Sequence, residues 1–477
     1  MAKKKMKNQV GDPLDFGALY DGITDCTLAI NECIQKHDHI IFRGSGIALV
    51  SNSLVIRSGV WLDFDPGFTI KLASGSNCVL LKNKWAESAY FAAKNGTPEF
   101  MSELYPPVFE HGDWIMGESE KNIKITGGIF DGNGVNQQRQ DWRYGSMGYY
   151  GVLLLFVNID GLELSNVKMK NAVTYNAQFD MVRNFRITNI NMTYDIARPN
   201  IDGLHFGGGC CYGVIDGVTG KTYDDMVALN GGDSWRPKAT NGNAILSQAD
   251  KVWYPFAQGK IFNIEIRSIM ADDGYRAVRL LSNVKVPSSP EDETEGMDNI
   301  VIDGIYGSYK VNAVLISSHI GNLKKYGNIT IRNIRNTQTF PARMSNIRAE
   351  PLTYVDNLII SDYHHKTDAF PVPLELLGGI ENLIMRDVLI DVSDAVDLKG
   401  RAAVEIGSAE SSCRRLFFDN ISINASGSSR YSAAFALTNV VKIKVSNSSF
   451  DCDAFIQVKG ENTYELHEMN NDFKKKA

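Results

Sequence analysis

Asn299-Ile300-Val301-Ile302 shows in four residues a pattern that repeats along most of this chain. A polar or small residue, usually asparagine, precedes a short run in which aliphatic side chains alternate with other side chains. Such alternation is typical of a β-strand that buries one face. The same pattern begins at Asn122, Gly161, Asn184, Asn263, Asn328, Asn357, Asn382 and Asn439. The chain is therefore expected to consist largely of short, similar strands.

The spacing of these copies selects among the all-β folds. The steps are 23, 29, 29 and 25 residues for the pairs 161–184, 299–328, 328–357 and 357–382. Propeller blades need about 40 residues, and sandwich strands recur about every 8–12 residues. One β-helix coil with about three short strands fits the observed step. We therefore predict an all-β fold, a single-stranded right-handed parallel β-helix (a solenoid), in which asparagines of successive coils stack in a ladder.

Two long segments interrupt the repeat. Residues from about 82 to 116 and from about 232 to 260 are rich in aromatic side chains, and an acidic loop spans Pro287 to Gly296. Long loops on a solenoid often wall a binding site. We expect aromatic walls suited to sugar rings, or else loops that cap the edge or bury a neighbouring subunit. The expected organisation is a tail at 1–14, one β-helix domain at 15–460 with a capping region at about 15–45, and a C-terminal tail or cap at 461–477.

The composition excludes several classes of protein. The 477 residues are 44% hydrophobic and 22% charged, which is typical of a folded chain and not of disorder or collagen. A net charge of −6 without a basic cluster argues against a nucleic-acid partner. No apolar run approaches the roughly 20 residues of a membrane-spanning helix. We therefore expect neither a nucleic-acid partner nor insertion into a membrane.

The cysteines and the N-terminal residues bear on the compartment. The seven cysteines include no Cys-x-x-Cys pair, so we expect reduced thiols and no zinc. Met1-Ala2-Lys3-Lys4-Lys5-Met6 is basic, but no apolar stretch follows it, so no secretory signal is expected in this numbering. The protein is expected either to stay in the cytoplasm or to be a secreted or periplasmic protein whose leader was removed.

Three aspartates lie at two points of the chain that are 22 residues apart, Asp202 and the pair Asp224-Asp225. If 22 residues form one coil, these side chains stack at about the inter-strand spacing of 4.8 Å. Clustered carboxylates separate into an acid and ionised partners, which is the equipment for cleaving a glycosidic bond. Asp180, another 22 residues upstream, would extend the column. The alternatives are aspartates that cap turns or bind calcium; we expect no metal and no cofactor.

Further motifs resemble those of a known superfamily. The segment from Asp15 to Asp25 resembles the opening of the pectate-lyase and polygalacturonase superfamily, where a first strand leads into a capping helix, here near Cys26 to Gln35. Gly127-Gly128-Ile129-Phe130-Asp131-Gly132-Asn133-Gly134 resembles the glycine-rich turn before its catalytic coils. Asn200-Ile201-Asp202-Gly203 and Asp224-Asp225 resemble two motifs of glycoside hydrolase family 28.

This resemblance implies both a fold and a reaction. The fold is a right-handed parallel β-helix, and the reaction is inverting hydrolysis of a polysaccharide or oligosaccharide of the pectin type or a related acidic glycan. Asp224 would be the general acid, while Asp202 and Asp225 would position and activate water. The partner implied is therefore a glycan substrate, and the sequence does not indicate whether the protein is a monomer or a homo-oligomer.

The chain also departs from the family pattern. The family's Gly-His-Gly motif after the paired aspartates is absent, and Tyr275-Arg276-Ala277-Val278-Arg279 stands where the family has Arg-Ile-Lys. Arg276 and Arg279 are candidates to grip a carboxylate or sulfate of the substrate, Arg279 in the better register. His205 either replaces the missing histidine or is a structural residue. The expected substrate-binding residues are Asn200, His205, Arg276, Arg279, Asp180 and Trp235.

Other functions fit parts of the same pattern. A phage tail-spike-like β-helix would bind or depolymerise a cell-surface glycan as a homotrimer. A polysaccharide lyase would use an Arg or Lys base beside a uronate, often with calcium. The missing histidine and lysine also suit a glycan-binding scaffold without catalysis. The aspartates at 202, 224 and 225 fit hydrolysis better than lyase action.

Overall fold

A computed structural model of the protein describes residues 10–84, 86, 119–138, 151–231, 260–282, 296–318, 324–338, 345–367, 372–392, 398–425, 429–460 and 464–473. The chain divides into two compact units. The first comprises Met1–Asp224 and Asp233–Gly259, and the second comprises Asp225–Gly232 and Lys260–Ala477. Almost all of the two aromatic segments and of the acidic loop lie outside the described residues. The prediction of one domain over 15–460 stays a prediction.

The described residues of the first unit include the helix α1 and seventeen strands. The helix α1 spans Thr27–Lys36, and two short 3-10 helices span Pro13–Phe16 and Gly134–Asn136. The strands are β1 (Val10–Gly11), β2 (Asp21–Asp25), β3 (His39–Phe42), β4 (Ile47–Val50), β5 (Leu54–Ile56), β6 (Trp61–Phe64), β7 (Thr69–Leu72), β8 (Leu81–Asn83), β9 (Glu120–Thr126), β10 (Ile129–Asp131), β11 (Leu154–Val157), β12 (Ile159–Ser165), β13 (Lys168–Lys170), β14 (Ala177–Asp180), β15 (Arg183–Thr193), β16 (Leu204–Phe206) and β17 (Cys211–Gly220).

The strands of the second unit follow β17 in the chain. They are β18 (Asp225–Asn230), β19 (Ile261–Gly274), β20 (Arg276–Leu281), β21 (Met297–Tyr309), β22 (Val314–Ser317), β23 (Lys324–Gln338), β24 (Ile347–Ala349), β25 (Thr353–Thr367), β26 (Leu374–Leu376), β27 (Gly379–Val392), β28 (Ala402–Ile406), β29 (Cys413–Ala425), β30 (Ala433–Leu437), β31 (Val440–Ser446), β32 (Ser449–Phe450), β33 (Ile456–Val458), β34 (Glu465–Met469) and β35 (Asp472–Phe473).

The strands pair in parallel with the equivalent strands of neighbouring coils. In the first unit, β8, β11, β14 and β16 are successive members of one sheet, while β9, β12, β15 and β17 are successive members of another. In the second unit, β18, β20, β22 and β24 follow one another in the same way, as do β19, β21, β23 and β25. Parallel pairing of coil upon coil confirms the predicted right-handed parallel β-helix.

The repeated asparagines have two structural roles. Asn122, Asn184 and Asn299 adopt the left-handed conformation, with φ between 51° and 56°, which asparagine tolerates better than most residues. Asn357 instead belongs to a side-chain ladder, because its Nδ2 donates to Oδ1 of Asn328 and its Oδ1 accepts from Nδ2 of Asn382, each at 2.8 Å. The predicted asparagine ladder is therefore confirmed in the second unit.

Aromatic and aliphatic residues form the interior of each coil. In the first unit, the rings of Phe156, Phe179 and Phe206 stack in successive coils, with centroids 5.4 and 4.6 Å apart. Phe185 packs on Phe206 at 5.2 Å. Gly213 is required beside this ring, because a Cβ at that position would lie 1.9 Å from Cζ of Phe185. The stacked column fixes the sheet that carries β14 and β16.

The N-terminal helix agrees closely with the predicted position near Cys26 to Gln35. Oδ1 of Asp25 accepts the backbone N–H of Thr27, the first residue of α1, at 3.0 Å. The helix buries Ile30, Cys33 and Ile34. All seven cysteines are free thiols, and all are buried. In the described part of the chain, none of the helices has the length and apolarity that crossing a membrane requires.

Candidate active site

Backbone hydrogen bonds bring Asp202 and Asp224 together in the first unit. The carbonyl oxygen of Ile201 accepts from the backbone N–H groups of both Tyr223 and Asp224, each at 3.1 Å. Oγ1 of Thr222 donates to the carbonyl oxygen of Asp224 at 2.7 Å and fixes the turn. A carboxylate oxygen of Asp202 lies within 4.8 Å of one of Asp224. The 22-residue spacing is therefore one coil at this point.

The preceding coil holds the backbone of Asp202. Both the backbone N–H and Nδ2 of Asn176 donate to the carbonyl oxygen of Asp202, at 2.9 and 2.8 Å. Asn200 has a φ of 62°, so it makes the left-handed turn that leads into Asp202. Asp202 itself is only 3% exposed. The backbone of Asp202 is thus held in a defined position by the preceding coil.

His205 is the hydrogen-bond partner of the Asp202 side chain. Its Nδ1 lies 2.8 Å from Oδ2 of Asp202, and the ring is 1% exposed. The imidazole stacks on the ring of Tyr175, with centroids 4.0 Å apart and planes 9° apart. The structure therefore places His205 against a predicted catalytic residue, in a position where it can orient that carboxylate.

Asp180 does not continue the column of Asp202, contrary to our prediction. Strand β14 pairs with β16 so that Ala177 lies opposite Leu204, which makes this coil 27 residues long (204 − 177) and not 22. The turn between β15 and β16 accounts for the longer coil. In this register Asp180 lies one residue beyond the Phe179–Phe206 pair, opposite Gly207.

The side chain of Asp180 is fully buried. Its Oδ2 accepts a hydrogen bond from Nε2 of Gln178 at 2.8 Å. Burial raises the pKa of Asp180 to about 7, against the opposing effects of the charge of His205 and the bond from Gln178. A carboxyl group with this pKa changes its charge near neutral pH.

In the second unit, Asp225 is paired with arginine. Asp225 begins β18 and lies opposite Arg276 on β20. Nη1 of Arg276 is 2.5 Å from Oδ1 of Asp225, and Nη1 of Arg279 is 4.0 Å from Oδ2. The guanidinium of Arg276 also lies over the ring of Tyr275, 4.8 Å from its centroid. Arg276, predicted to bind a substrate anion, thus binds a protein carboxylate, and Arg279 makes the longer contact.

Some site residues carry no recognisable motif. Asn176 donates a hydrogen bond to Asp202, Tyr175 stacks on His205, and Gln178 donates to Asp180. None of Asn176, Tyr175 and Gln178 belongs to a motif of the sequence analysis. Gln178 is the register partner of His205, a signal that becomes visible only once the coil length is known. Trp235, predicted to bind substrate, lies outside the described residues.

The arrangement suits acid–base chemistry. Of two carboxylates at this separation, the one hydrogen-bonded to a histidine can accept a proton, while the other can stay protonated. Carboxylate oxygens at such a distance are also close enough to share a divalent cation. Acidic clusters are common without one, and we assign no metal site.

Comparisons with known proteins agree with the motifs. Residues 97–244 match the sequence model of the glycosyl hydrolases of family 28. Polygalacturonase QRT2 of Arabidopsis thaliana is 27% identical over 127 residues, which are 26% of this chain and 29% of the relative. The matched segment thus spans less than a third of that relative.

Solved structures share the fold over nearly the whole chain. The family 28 exopolygalacturonase of Yersinia enterocolitica matches with a TM-score of 0.51 at 14% identity, covering 99% of this chain and 79% of that one. Gene product 12 of bacteriophage phi29 matches with a TM-score of 0.60 at 11% identity, covering 96% of this chain and 56% of that one. At such identities the likeness is one of fold alone. The resemblance seen in the motifs is nevertheless confirmed by the family match: over residues 97–244 this parallel β-helix is related in sequence to the glycosyl hydrolases of family 28.

Proposed function

We propose that the protein is a glycoside hydrolase that cleaves a glycosidic bond in a pectin-type or related acidic polysaccharide or oligosaccharide. The observation that carries this proposal is the juxtaposition of Asp202 and Asp224, whose carboxylate oxygens lie within 4.8 Å of each other. Both residues belong to the segment that matches family 28. The first unit alone therefore supplies an acid and a base for hydrolysis.

The environments of the two carboxylates support different roles for them. Nδ1 of His205 lies 2.8 Å from Oδ2 of Asp202, and an N–H group that donates to a carboxylate favours its ionised form. Asp202 is therefore the base. Asp224 is less buried and lies beside this negative charge, which favours its protonated form. Asp224 is therefore the acid.

The reaction then follows with all protons accounted for. Asp224 gives its proton to the glycosidic oxygen as the bond from that oxygen to the anomeric carbon breaks. A water molecule attacks the anomeric carbon and gives a proton to Asp202. The products are two shorter glycans, one with a new reducing end, and the two aspartates have exchanged protonation states.

Asp225 is the third carboxylate of the proposal. It follows Asp224 directly in the chain, and its ion pair with Arg276 keeps it in one orientation. The role that we assign to it, on the resemblance to family 28, is to position water. Because Arg276 is engaged in this pair, Arg279 is the better candidate to contact a carboxylate or sulfate of the substrate.

The distance between acid and base bears on the stereochemistry. Carboxyl groups of inverting enzymes lie about 6.5–9.5 Å apart, and those of retaining enzymes about 5–5.5 Å. The limit of 4.8 Å is measured between single oxygens of Asp202 and Asp224. Each oxygen lies about 1.2 Å from its carbon, so the lower end of the inverting range is attainable. We therefore keep the inverting reaction, which the family resemblance implies.

One experiment tests the proposed function directly. Wild type and Asp202→Asn are incubated with polygalacturonan, rhamnogalacturonan and neutral plant polymers, and both new reducing ends and ultraviolet absorbance are followed. We expect reducing ends without absorbance from unsaturated uronates, and their loss in the variant. Absorbance would identify a lyase instead, and no product from any polymer would contradict the proposal.

A further inference from the structure

Two turns on one corner of the first unit carry aromatic side chains beside the proposed acid. One turn joins β15 to β16 and begins at Tyr194, and the other follows β17 and contains Tyr223. Because β15 and β17 pair in parallel, with Met192 opposite Gly220, both turns leave the same edge of that sheet. The backbone N–H of Lys221 donates to the carbonyl oxygen of Met192 at 2.7 Å and keeps the two turns together.

The rings of Tyr194 and Tyr223 contact each other across these turns. Their centroids are 6.0 Å apart and their planes are 86° apart, an edge-to-face arrangement that aromatic rings favour. Tyr223 is exposed and Tyr194 is half-buried. Nζ of Lys221 lies 5.6 Å from the centroid of the Tyr194 ring, so this cation belongs to the same surface. We call these three residues the tyrosine–lysine patch.

The tyrosine–lysine patch adjoins the proposed acid. Tyr223 directly precedes Asp224, and consecutive Cα atoms are about 3.8 Å apart. The carbonyl oxygen of Ile201 accepts from the backbone N–H groups of both residues, each at 3.1 Å, so the two are held in one turn. A glycan whose scissile bond lies at Asp224 therefore has a neighbouring sugar residue within reach of Tyr223.

A pocket extends this corner to the preceding coils. It is lined by residues of three successive coils, among them Val135, Ala172, Ile196 and Arg198. Ile196 lies two residues after Tyr194, so the pocket adjoins the tyrosine–lysine patch. A glycan of several sugar residues thus has a surface on which to continue beyond the patch.

We propose that the tyrosine–lysine patch binds a uronate residue of the substrate next to the bond that is cleaved. This inference rests on the proposed function and names residues that select an acidic glycan. Tyr223 packs against the C–H groups of the sugar ring, because the face of an aromatic ring is electron-rich. Lys221 donates a charge-assisted hydrogen bond to the uronate carboxylate. Tyr194 orients both side chains through its ring contacts.

The patch supplies a cation for the role that the sequence analysis gave to Arg276. The guanidinium of Arg276 is engaged by Asp225, whereas Lys221 lies three residues before the proposed acid, Asp224. A neutral or esterified sugar has no carboxylate for the ammonium group to bind. Lys221 therefore favours the acidic glycan, while Tyr223 contributes to the binding of both kinds.

Direct binding tests the patch without hydrolysis. Trigalacturonate and its methyl ester are titrated into Asp224→Asn by isothermal titration calorimetry, alone and combined with Lys221→Met, Lys221→Arg or Tyr223→Ala. We expect Lys221→Met to weaken binding of the acid about 10-fold and that of the ester by less than about 2-fold. Lys221→Arg keeps the charge and should keep most of the preference for the acid.

The control variants match each side chain. Lys36 also lies over an aromatic ring, 5.0 Å from the centroid of Phe16, but it belongs to α1, so Lys36→Met should change neither affinity. Tyr223→Ala should weaken binding of both glycans about 3- to 10-fold. Tyr212→Ala, at an exposed tyrosine at the other end of β17, should not.

The outcomes separate this inference from the proposed function. Equal losses for acid and ester in Lys221→Met would overturn the inference, as would the absence of trigalacturonate binding. If wild type hydrolyses no glycan, the proposed function fails, and the calorimetry still decides whether Lys221 and Tyr223 bind a uronate.

Discussion

Asp225 and Arg276 are register partners on neighbouring strands, and their side chains form an ion pair of 2.5 Å. Asp225 is 1% exposed, so its charge is almost fully withdrawn from water. Arg279 approaches the same carboxylate only to 4.0 Å. The two arginines that the sequence offered as anion-binding residues therefore have unequal roles.

Removing the charge of Arg276 should destabilise the protein more than removing that of Arg279. Arg276→Met leaves Asp225 as a buried carboxylate without its main partner, which costs about 3–5 kcal/mol when a buried pair is broken. Arg279→Met keeps the 2.5 Å pair and should cost less than half as much. Urea unfolding of both variants measures the difference. Equal losses would show that the pair does not stabilise Asp225.

Asp224→Asn should abolish most of the hydrolytic rate. Loss of the proton donor removes general acid catalysis, which contributes about 10²- to 10⁴-fold. The measurement is kcat on the best glycan of the panel, with the melting temperature recorded in parallel. Asp216→Asn, a change on β17 away from the site, is the control for a general effect of replacing an aspartate by asparagine on the rate. A full rate in Asp224→Asn would refute the assignment of the acid.

The first product of cleavage should have the inverted anomeric configuration. Direct attack by water between a separate base and acid inverts the anomeric carbon in one step. Proton NMR during the first minutes of the reaction distinguishes the anomers before they equilibrate. Appearance of the retained anomer would instead mean that one aspartate forms a covalent intermediate, and Asp202 and Asp224 would need new roles.

Acid should weaken the second unit through His365. This ring is buried, and burial, helped by the charge of His364, lowers its pKa to about 3. The unfolded chain binds this proton near pH 6.5. Stability from the neutral ring is therefore complete above about pH 6.5 and is lost as the pH falls towards 3, by at most about 1.4 kcal/mol per pH unit.

The variant His365→Leu isolates this contribution. Its stability should fall less than that of wild type between pH 7 and pH 5, as measured by urea unfolding at each pH. His467→Leu, at an exposed histidine, is the control and should behave as wild type. Parallel pH profiles for wild type and His365→Leu would show that His365 does not titrate in this range.

Gly213→Ala should destabilise the first unit by overpacking. The added Cβ would lie 1.9 Å from Cζ of Phe185, so the ring has to move off its contact with Phe206. The expected cost is about 1–3 kcal/mol. Gly67→Ala, with 3.3 Å to its nearest atom, should cost less. The smaller side chain of Phe185→Leu should reduce the cost of Gly213→Ala, and additive effects in this double-mutant cycle would refute the contact.

The sequence by itself determined the fold and the proximity of Asp202 to Asp224. The spacing of asparagines from Asn328 to Asn382 matches the observed register residue for residue, because each coil must pair its strands with those of the next. The spacing from Asp202 to Asp224 likewise equals one coil. In a regular repeat, residues that face each other in successive coils are separated by one coil length in the sequence.

Only the tertiary structure decided which residues surround that pair. Asp180 precedes Asp202 by the same 22 residues that separate Asp202 from Asp224. The coil between β14 and β16 has 27 residues, however, so Asp180 lies two residues beyond Gln178, the register partner of His205. The pairing of Arg276 with Asp225, and not with a substrate, likewise depends on side-chain contact across strands. Loop lengths set the register of each coil, and burial sets the charge of each group. Neither quantity can be read from a motif, because both arise only when the coils pack.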